Sequence, residues 1–532
     1  MNKINSRITS NILLLVFVIL LFLICAFNKT YKYRPNSIHQ WRQTDCLSMT
    51  KNYYEEGMHF FSPKIHWQGS NNGNAVSECP ILNYSVAALW KMFGEHEFIY
   101  RFLEYFIFII SMFVLFNTLV RFFGSTWLSF FITSLFLTSP LLVYYSFNFI
   151  ADVPALSFCI LAFCIFFRFY KTKKIGYFYL ALLLGTIAVL LKASAATGIG
   201  IILFFSMIDI LGLNRFFKTE KLFTKKLLPL ISIVAVLGLI YSWYKFAIAY
   251  NTYNNSVFLL TVLPIWEMKD QAIYSNLRSL FSELFPLFFS KPMFFLFFVF
   301  AAYVIANFKK LDIFFKYTFL FSAVFFVFYI LFFFQVFTGH DYYLNNLMIF
   351  PVITFFCLAN ILSQNAVMEN NKKFIRIAIV TIIILNSFFA AAYYRLRVIK
   401  DDKLCVWYPF ITNEEKRFNE WFLWNRELTL ESLETLTPDL RKAGVKREDL
   451  VLSIPDVSFD ISLYLMDQKG YTMPSDLFVA DSNTVNIYIG KKIKYLVLSD
   501  IRLKDEASFG VINNHFDLII KKPLLEVYKL KE

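Results

Sequence analysis

The chain has 532 residues, of which 58% are hydrophobic and 20% aromatic, and it carries a formal net charge of +14. This composition excludes an ordinary soluble protein, because polar residues could not cover that much apolar surface, and it indicates a polytopic membrane protein. The positive charge does not indicate nucleic-acid binding, because no zinc-finger spacing or basic-aromatic pattern accompanies it. Cytoplasmic loops of membrane proteins collect Lys and Arg, which accounts for the charge.

The first apolar run, residues 11–27, is long enough to span a bilayer and is preceded by Lys3 and Arg7. No small-residue cleavage site follows it, which favours a retained membrane anchor over a cleaved signal peptide. A polar, aromatic-rich loop over 28–97 comes next. Further apolar segments then predict about eleven transmembrane helices in all, the later ones near 98–120, 127–147, 153–170, 176–191, 198–213, 227–248, 293–307, 316–336, 346–363 and 375–394.

Basic residues are distributed unevenly between the two sides of these segments. Loops on the side of the N-terminus hold eighteen Lys and Arg residues, whereas the short turns on the other side hold only Lys192. This asymmetry predicts a cytoplasmic N-terminus. An odd number of spans then puts the loop 28–97 and the C-terminal region outside the cytoplasm.

The composition changes after residue 394. Residues 413–428 read as an amphipathic helix, and 451–455 and 494–500 read as buried strands. We therefore expect two domains, a transmembrane catalytic domain over 1–394 and a small extracytoplasmic α/β domain over 395–532.

Polar residues that need an explanation all fall near the outer ends of the predicted spans. Charges close to hydrocarbon are costly, and they usually line a cavity or a pathway. Their presence at five places on one face predicts a functional site there. These places are the run Trp41-Arg42-Gln43-Thr44-Asp45, Glu78, Asp152, Lys192, and His340-Asp341-Tyr342-Tyr343.

Each of these positions also has a purely structural interpretation, which the residues alone leave open. Surface ion pairing, helix starts, snorkelling side chains and interfacial aromatics need no ligand. In that interpretation Asp45 pairs with Arg42, Glu78 is a solvated loop acid, Asp152 starts a helix before Pro154, Lys192 reaches the headgroups, His340 and Asp341 cap a helix, and Tyr342 and Tyr343 form an aromatic belt.

The functional interpretation fits the chemistry of a transferase that uses a membrane-anchored phosphate-sugar. Such an enzyme needs a base outside the bilayer to deprotonate an acceptor hydroxyl, a task that suits Asp45. It also needs cations or donors on the phosphate leaving group, which suits Arg42, Lys192 and His340. No Gly-rich phosphate loop is present, so no nucleotide is expected.

This pattern resembles the GT-C polytopic glycosyltransferases that use polyprenyl-phosphate sugars. The nearest branch is glycosyltransferase family 39, which includes protein O-mannosyltransferases, and its bacterial relatives that transfer aminoarabinose to lipid A. The resemblance rests on Trp41 to Asp45 after the first span, Glu78-Cys79-Pro80, Asp152-Val153-Pro154, Lys192, Gly339 to Tyr343, and the tail segment VLSIPDVSFDISLYLMDQKGYT.

The resemblance implies an all-α GT-C membrane fold and an inverting transfer of a hexose or pentose by single displacement. It implies that Asp45 and Glu78 are catalytic, with Asp45 as the general base, and that Arg42, Lys192 and His340 bind the donor phosphate. The substrate pocket would include Trp41, Asp152, Asp341, Tyr342 and Tyr343.

Two departures from the protein O-mannosyltransferases bear on the acceptor. Those enzymes carry paired acids in the first loop, whereas here Cys46 follows Asp45. They also carry a large hydrophilic insert, and the segment 249–292 is far too short to match it. A bacterial cell-envelope enzyme of the cytoplasmic (inner) membrane fits better, acting on lipid A or lipopolysaccharide, another glycan or a protein.

The expected partners are a polyprenyl-phosphate-sugar donor, a lipid- or glycan-type acceptor and membrane lipid, with no nucleic acid. No cofactor is firmly implied. Glu78 with His66 or His340 could bind a divalent cation, but the acids lack metal-ligand spacing, so we expect no metal site. Two rival functions remain: a transporter or flippase for a lipid-linked glycan, and a polymerase or ligase that takes a diphosphate-linked donor.

Overall fold

The computed structural model describes residues 2–258, 260–364, 372–402, 411–480 and 483–531. Most of the described chain is helical, with short 3-10 turns between the helices. In chain order the helices are α1 Asn2–Ile24, α2 Phe27–Thr30, α3 Gln40–Glu56, α4 Ile81–Phe93, α5 Phe98–Phe123, α6 Thr126–Leu137, α7 Pro140–Ser146, α8 Asp152–Thr172, α9 Ile175–Leu191, α10 Thr197–Ile210, α11 Asn214–Phe217, α12 Leu227–Tyr253, α13 Asp270–Ser279, α14 Lys291–Ala306, α15 Ile313–Phe332, α16 Ile349–Ser363, α17 Lys372–Val398, α18 Asn413–Thr429, α19 Thr437–Lys442, α20 Ile461–Leu465, α21 Ser475–Ala480, α22 Asn483–Gly490 and α23 Phe509–His515.

The apolar helices fall into three groups by length and shape. Among the described residues, six unbroken helices are long and apolar enough to cross a membrane, and the count rises to eight if each of two bent pairs is one span. The bent pairs are α6 with α7, at 64°, and Asp270–Phe288 with α14, at 91°. Shorter apolar helices cover Ile8–Ile24, Ile175–Leu191 and Thr197–Ile210. Each of the eleven predicted apolar segments thus coincides with helix, which confirms a polytopic all-α region, while the exact number of spans stays a prediction.

The chain forms two compact units. Unit 1 consists of residues 1–31, 101–245 and 261–395. Its central helix is α8, which packs against α9, α10 and α16. Helix α10 approaches α8 closely at Gly198, where an added Cβ would lie 2.9 Å from the Cys159 Sγ atom, so the residue there must be small.

Unit 2 consists of residues 32–100, 246–260 and 396–532. The predicted polar loop 28–97 contains two substantial helices, α3 and α4, which pack against each other. Asn83 on α4 donates its side-chain amide to the backbone oxygen of Cys46 on α3, at 2.7 Å. The first loop is therefore an ordered part of unit 2.

The predicted amphipathic helix at 413–428 is present as α18. It begins with a capping box, in which the Thr412 hydroxyl accepts from the Glu415 backbone N–H at 3.2 Å. The Glu415 carboxylate in turn accepts from the Thr412 backbone N–H at 2.8 Å. These two bonds satisfy donors that a helix start otherwise leaves free.

The predicted C-terminal α/β domain is also present. Its sheet has the strand order β2-β1-β3-β5-β4, in which β1 is parallel to β2 and β3, and β5 is antiparallel to β3 and β4. The central strands β1 and β3 are wholly buried, as their apolar sequences predict. The strands are β1 Val451–Ile454, β2 Gly470–Thr472, β3 Tyr495–Leu498, β4 Phe516–Lys521 and β5 Glu526–Leu530.

The first loop joins the edge of this sheet at Gly470. The Gln68 backbone N–H donates to the Gly470 oxygen at 2.8 Å, and the Gly470 N–H donates to the His66 oxygen at 3.2 Å. A Cβ at Gly470 would lie 2.0 Å from the Val451 backbone oxygen, so only glycine fits between strand β1 and the loop.

Candidate active site

Helix α3 of unit 2 is polar in sequence and yet buried almost throughout. It starts after His39, which holds the left-handed conformation at φ 59°. Its polar groups find partners in the surrounding chain: the Gln43 side-chain amide, for example, donates to the Asn36 backbone oxygen at 2.7 Å. A buried polar helix of this kind is stable only where such partners are supplied.

Asp45 lies on this helix and is the exception to that rule. Its exposed fraction is 1%, and neither carboxylate oxygen accepts a hydrogen bond. The nearest cation is Arg42, one helical turn earlier, with 3.8 Å between its Nη1 atom and the Asp45 Oδ2 atom. A buried carboxylate without hydrogen-bond donors is poorly stabilised as an anion.

Arg42 is divided among several neighbours and does not belong to Asp45 alone. Its Nη2 atom forms an ion pair with Glu78 and donates to the Ser77 hydroxyl at 3.0 Å. The guanidinium also lies over the ring of Phe258, 5.6 Å from the centroid. The strongest partner of Arg42 is therefore Glu78, so the positive charge near Asp45 is largely compensated already.

These surroundings raise the pKa of Asp45 to about 7. Burial is the main cause, Arg42 opposes it, and the negative charges of Glu78 and Asp456 add to it. A carboxyl group that titrates near neutral pH can take a proton from a hydroxyl in the transition state far better than an ordinary aspartate.

Two further acids next to α3 come from the C-terminal domain, and sequence analysis did not single them out. Asp456 and Asp460 follow the carboxyl end of β1, and both are buried. Helix α20, which begins directly after Asp460, packs against α3. Their position after a predicted strand could have identified them, because polar groups that follow parallel strands gather at the carboxyl edge of the sheet.

His66 connects the first loop to these elements. Its Nδ1 atom lies 2.5 Å from the Ser48 hydroxyl on α3, and its Nε2 atom lies 3.5 Å from Asp467. Burial lowers the pKa of His66 to about 4, Arg447 also lowers it, and Asp467 opposes both. His66 is therefore neutral at ordinary pH and adds no charge near Asp45.

In unit 1, Lys192 and Asp152 form a buried ion pair. Lys192 follows the end of α9 in extended conformation, and Asp152 is the first residue of α8. The Lys192 Nζ atom lies 3.3 Å from the Asp152 Oδ2 atom, and Asp152 is fully buried. Asp152 therefore has a cation beside it in a buried position.

The segment that follows α15 surrounds this lysine. The Lys192 Nζ atom lies over the rings of Tyr342 and Tyr343, at 5.3 and 5.1 Å from their centroids. The His340 ring lies 5.5 Å from that of Tyr342, and Asp341 accepts a hydrogen bond from the Tyr145 hydroxyl. The predicted residues of unit 1 thus form one cluster.

Glu104 on α5 is a further acid of unit 1 that sequence analysis missed. It is fully buried, and neither carboxylate oxygen makes a hydrogen bond of normal geometry, although the Ile150 N–H faces it. Arg101 and Asp152 are the charged groups that act on it. The signal was an acid inside an apolar helix, which usually marks a functional position.

The predicted site residues therefore lie in two sets. One set lies in unit 2, where Trp41 is partly exposed on α3 beside Arg42, Asp45 and Glu78, and the other is the Lys192 cluster of unit 1. Within the described parts of the chain, no group of three His, Cys, Asp or Glu side chains is arranged to hold a metal ion.

Comparisons with known proteins agree with the predicted resemblance. Residues 77–237 match the family model described as dolichyl-phosphate-mannose-protein mannosyltransferase. No curated protein matches the chain.

Solved structures match over the whole chain at low identity. ArnT from Cupriavidus metallidurans matches in the apo state with 10% identity and a TM-score of 0.55, covering 98% of both chains. Its complex with undecaprenyl phosphate matches with 10% identity and a TM-score of 0.56, covering 97% of both. The arabinofuranosyltransferase AftD from Mycobacteria matches with 10% identity and a TM-score of 0.54, covering 98% of this chain and 40% of that one.

The fold is accordingly that of the polytopic GT-C glycosyltransferases, with a small C-terminal α/β domain. The protein is a multi-pass membrane protein.

Proposed function

We propose that the protein is an inverting glycosyltransferase that moves a hexose or pentose from a polyprenyl-phosphate-linked donor to a hydroxyl group of a cell-envelope acceptor. Acceptors of this class are lipid A or lipopolysaccharide, another glycan, or a protein. We place the reaction on the outer face of the cytoplasmic membrane, since the positive-inside asymmetry predicts that the loop containing Asp45 lies there.

The observation that carries this proposal is the state of Asp45. Its carboxylate is buried, accepts no hydrogen bond and has a pKa of about 7. A buried acid without hydrogen bonds destabilises the folded protein. A role in deprotonating a hydroxyl group explains why an acid is found there. The GT-C fold and the undecaprenyl phosphate bound to ArnT support a polyprenyl-phosphate donor.

The reaction is a single displacement. Asp45 takes the proton of the acceptor hydroxyl while that oxygen attacks the anomeric carbon. The bond from the anomeric carbon to the phosphate oxygen breaks, and polyprenyl phosphate leaves with the electron pair. Configuration at the anomeric carbon inverts, because attack and departure take place on opposite faces of the sugar.

The phosphate leaving group gains negative charge in the transition state, so cations beside it lower the barrier. We assign Arg42, Lys192 and His340 to this phosphate. Glu78 holds Arg42 in place through their ion pair. We assign Trp41, Asp152, Asp341, Tyr342 and Tyr343 to the substrate pocket, where Tyr342 and Tyr343 also hold the Lys192 ammonium group.

The test is transfer of labelled sugar in reconstituted membranes, from a panel of undecaprenyl-phosphate-linked pentoses and hexoses to lipid A and to lipid-linked glycans. Wild type is compared with Asp45→Asn, and Asp517→Asn serves as a control because the Asp517 side chain is 72% exposed. Transfer by wild type and the control, but not by Asp45→Asn, supports the proposal. If no donor of this panel is used and a fluorescent lipid-linked sugar crosses the bilayer instead, the protein is a flippase.

A further inference from the structure

Asp460 is a buried acid to which the proposed reaction assigns no role. Its exposed fraction is 0%. Neither carboxylate oxygen makes a hydrogen bond of normal geometry, although the Ser48 hydroxyl and the His66 backbone N–H lie next to it. A carboxyl group in this position is costly as an anion and much less costly when protonated.

The packing of unit 2 brings Asp460 to the helix that bears Asp45. Asp460 is the residue before α20, and α20 packs against α3. One turn along α20, the Tyr464 ring meets the edge of the His66 ring at 5.9 Å between centroids. His66 contacts the Ser48 hydroxyl, and Ser48 lies one helical turn after Asp45.

Several charged groups face this pair of acids. Arg42 on α3, Glu78 in the first loop and Asp456 after β1 act on Asp45. Asp45 and Asp456 act on Asp460, and the neighbouring His66 is neutral. Arg42 is the cation in this set, and Glu78 already pairs with it. The surroundings therefore do not compensate two additional negative charges.

Asp456 differs from Asp460 in its hydrogen bonds. Its Oδ1 atom accepts from the Ser458 backbone N–H at 2.8 Å and from the Ser458 hydroxyl at 2.6 Å. Its Oδ2 atom accepts from the Ser462 backbone N–H at 2.8 Å. Burial raises the pKa of Asp456 too, but these three donors oppose it. Asp460 lacks such donors, so of the two acids it holds its proton more firmly.

We propose that Asp460 is a positioning residue that retains a proton on its own carboxyl group, so that Asp45 and Asp460 together carry one negative charge and that charge resides on Asp45. The inference rests on the proposed function, because it assumes that Asp45 is the base. During transfer the acceptor proton moves to Asp45 and later leaves to solvent, while Asp460 keeps its own proton. The C-terminal domain thereby sets the charge state of the base.

Two interacting acids lose their protons in two separate steps. Wild-type kcat/KM should rise with pH near 7 as Asp45 ionises and fall at higher pH as Asp460 ionises, because a second negative charge repels the anionic donor. Burial and the charge of Asp45 hold the pKa of Asp460 well above its usual range, which separates the two steps.

The experiment is the pH profile of kcat/KM for wild type and Asp460→Asn. Asparagine is neutral and retains a donor, so it resembles the protonated acid. We expect the rising limb of the variant to stay within about 0.5 pH unit of wild type and the falling limb to disappear. Asp456→Asn is the matched control: it should lower the melting temperature and retain both limbs, because Asp456 is held by structural hydrogen bonds.

Two results would overturn the inference. A rising limb that moves down by one pH unit or more in Asp460→Asn means that Asp460 is charged in the working enzyme. A falling limb that persists means that another group causes it. If Asp460→Asn does not fold, Asp460→Glu provides the test, since a titrating carboxyl with altered geometry should move the falling limb and an unchanged limb excludes Asp460.

The failure of this inference is distinguishable from failure of the proposed function. Substantial transfer by Asp45→Asn would reject the base itself. Loss of transfer in Asp45→Asn together with two limbs in Asp460→Asn rejects only the role of Asp460.

Discussion

Asp45 in unit 2 and Asp152 in unit 1 are both buried aspartates, but they differ in their cation partners. The comparison shows how the surroundings of a buried aspartate decide what it can do. Asp152 has the Lys192 ammonium group at 3.3 Å. Asp45 has Arg42 at 3.8 Å, but Glu78 is the stronger partner of that guanidinium. A carboxylate with its own cation holds that cation in place, whereas one that is buried without hydrogen-bond donors binds and releases protons near neutral pH.

The largest effect should come from removing Asp45, the proposed base. Asp45→Asn keeps the volume of the side chain and removes the proton acceptor, so kcat should fall by about 1,000-fold, with KM for the donor changed by less than about threefold. Steady-state transfer assays on reconstituted protein measure both constants. A kcat within tenfold of wild type would mean that another group takes the proton, and Glu78 would be the next candidate.

The next effect concerns the ion pair of unit 1. Lys192→Met leaves Asp152 buried without its cation and should lower the free energy of unfolding by about 3–5 kcal/mol. Adding Asp152→Asn should restore much of this stability without restoring donor affinity, if Lys192 binds the phosphate. Thermal unfolding and binding of undecaprenyl phosphate measure the two properties separately.

The matched control for this pair is Lys171→Met. Lys171 pairs with Asp312 at 3.6 Å, and both side chains are more than a third exposed. Its loss should change stability by less than about 1 kcal/mol. An equal loss of stability in Lys192→Met and Lys171→Met would show that burial does not make the Lys192–Asp152 pair more important for stability.

A smaller effect should follow from changing the neighbour of Arg42. Glu78→Gln removes a negative charge that raises the pKa of Asp45 and also frees Arg42, so both consequences lower that pKa. The rising limb of kcat/KM should move to lower pH by about 0.5–1 unit. The position of the limb is the readout, because it is independent of any loss in maximal rate. A shift to higher pH would contradict the charge assignment.

The last effect is on stability and depends on pH. The pKa of Asp45 is raised from 3.8 to about 7 in the folded protein, so its contribution to stability is present below pH 4 and is lost as the pH rises through 7. Asp45→Asn should therefore match wild type below pH 4 and melt a few degrees higher above pH 7. Equal melting temperatures over the whole range would mean that the ionised carboxylate is well solvated.

The transmembrane helices could be predicted because a segment that crosses a bilayer must be long, apolar and internally hydrogen-bonded. Long runs such as 153–170 have no alternative to helix in a bilayer, and α8 covers that run. Helix α3 could not be predicted in the same way. Its polar residues are those of a solvated loop, and only tertiary partners such as Asn83 make it a buried helix.

One contact of Asp45 could be anticipated from a local rule. If the segment is helical, the spacing of Arg42 and Asp45 puts them one turn apart, as the structural interpretation assumes, and the two side chains do form an ion pair. Asp460 lies more than four hundred residues further along the chain, so no periodicity connects it to Asp45. Glu104 could have been found from the sequence, because an acid within an apolar run usually marks a functional position.

The edge pairing at Gly470 has a consequence for protein engineering. Since the backbone of Gln68 and His66 completes that edge, the C-terminal domain shares its surface with the first loop. A chimaera that exchanges only residues 395–532 would pair the first loop of this protein with the sheet edge of another protein. It would also separate Asp460 from its native α3. Any exchange of the C-terminal domain should therefore include the first loop.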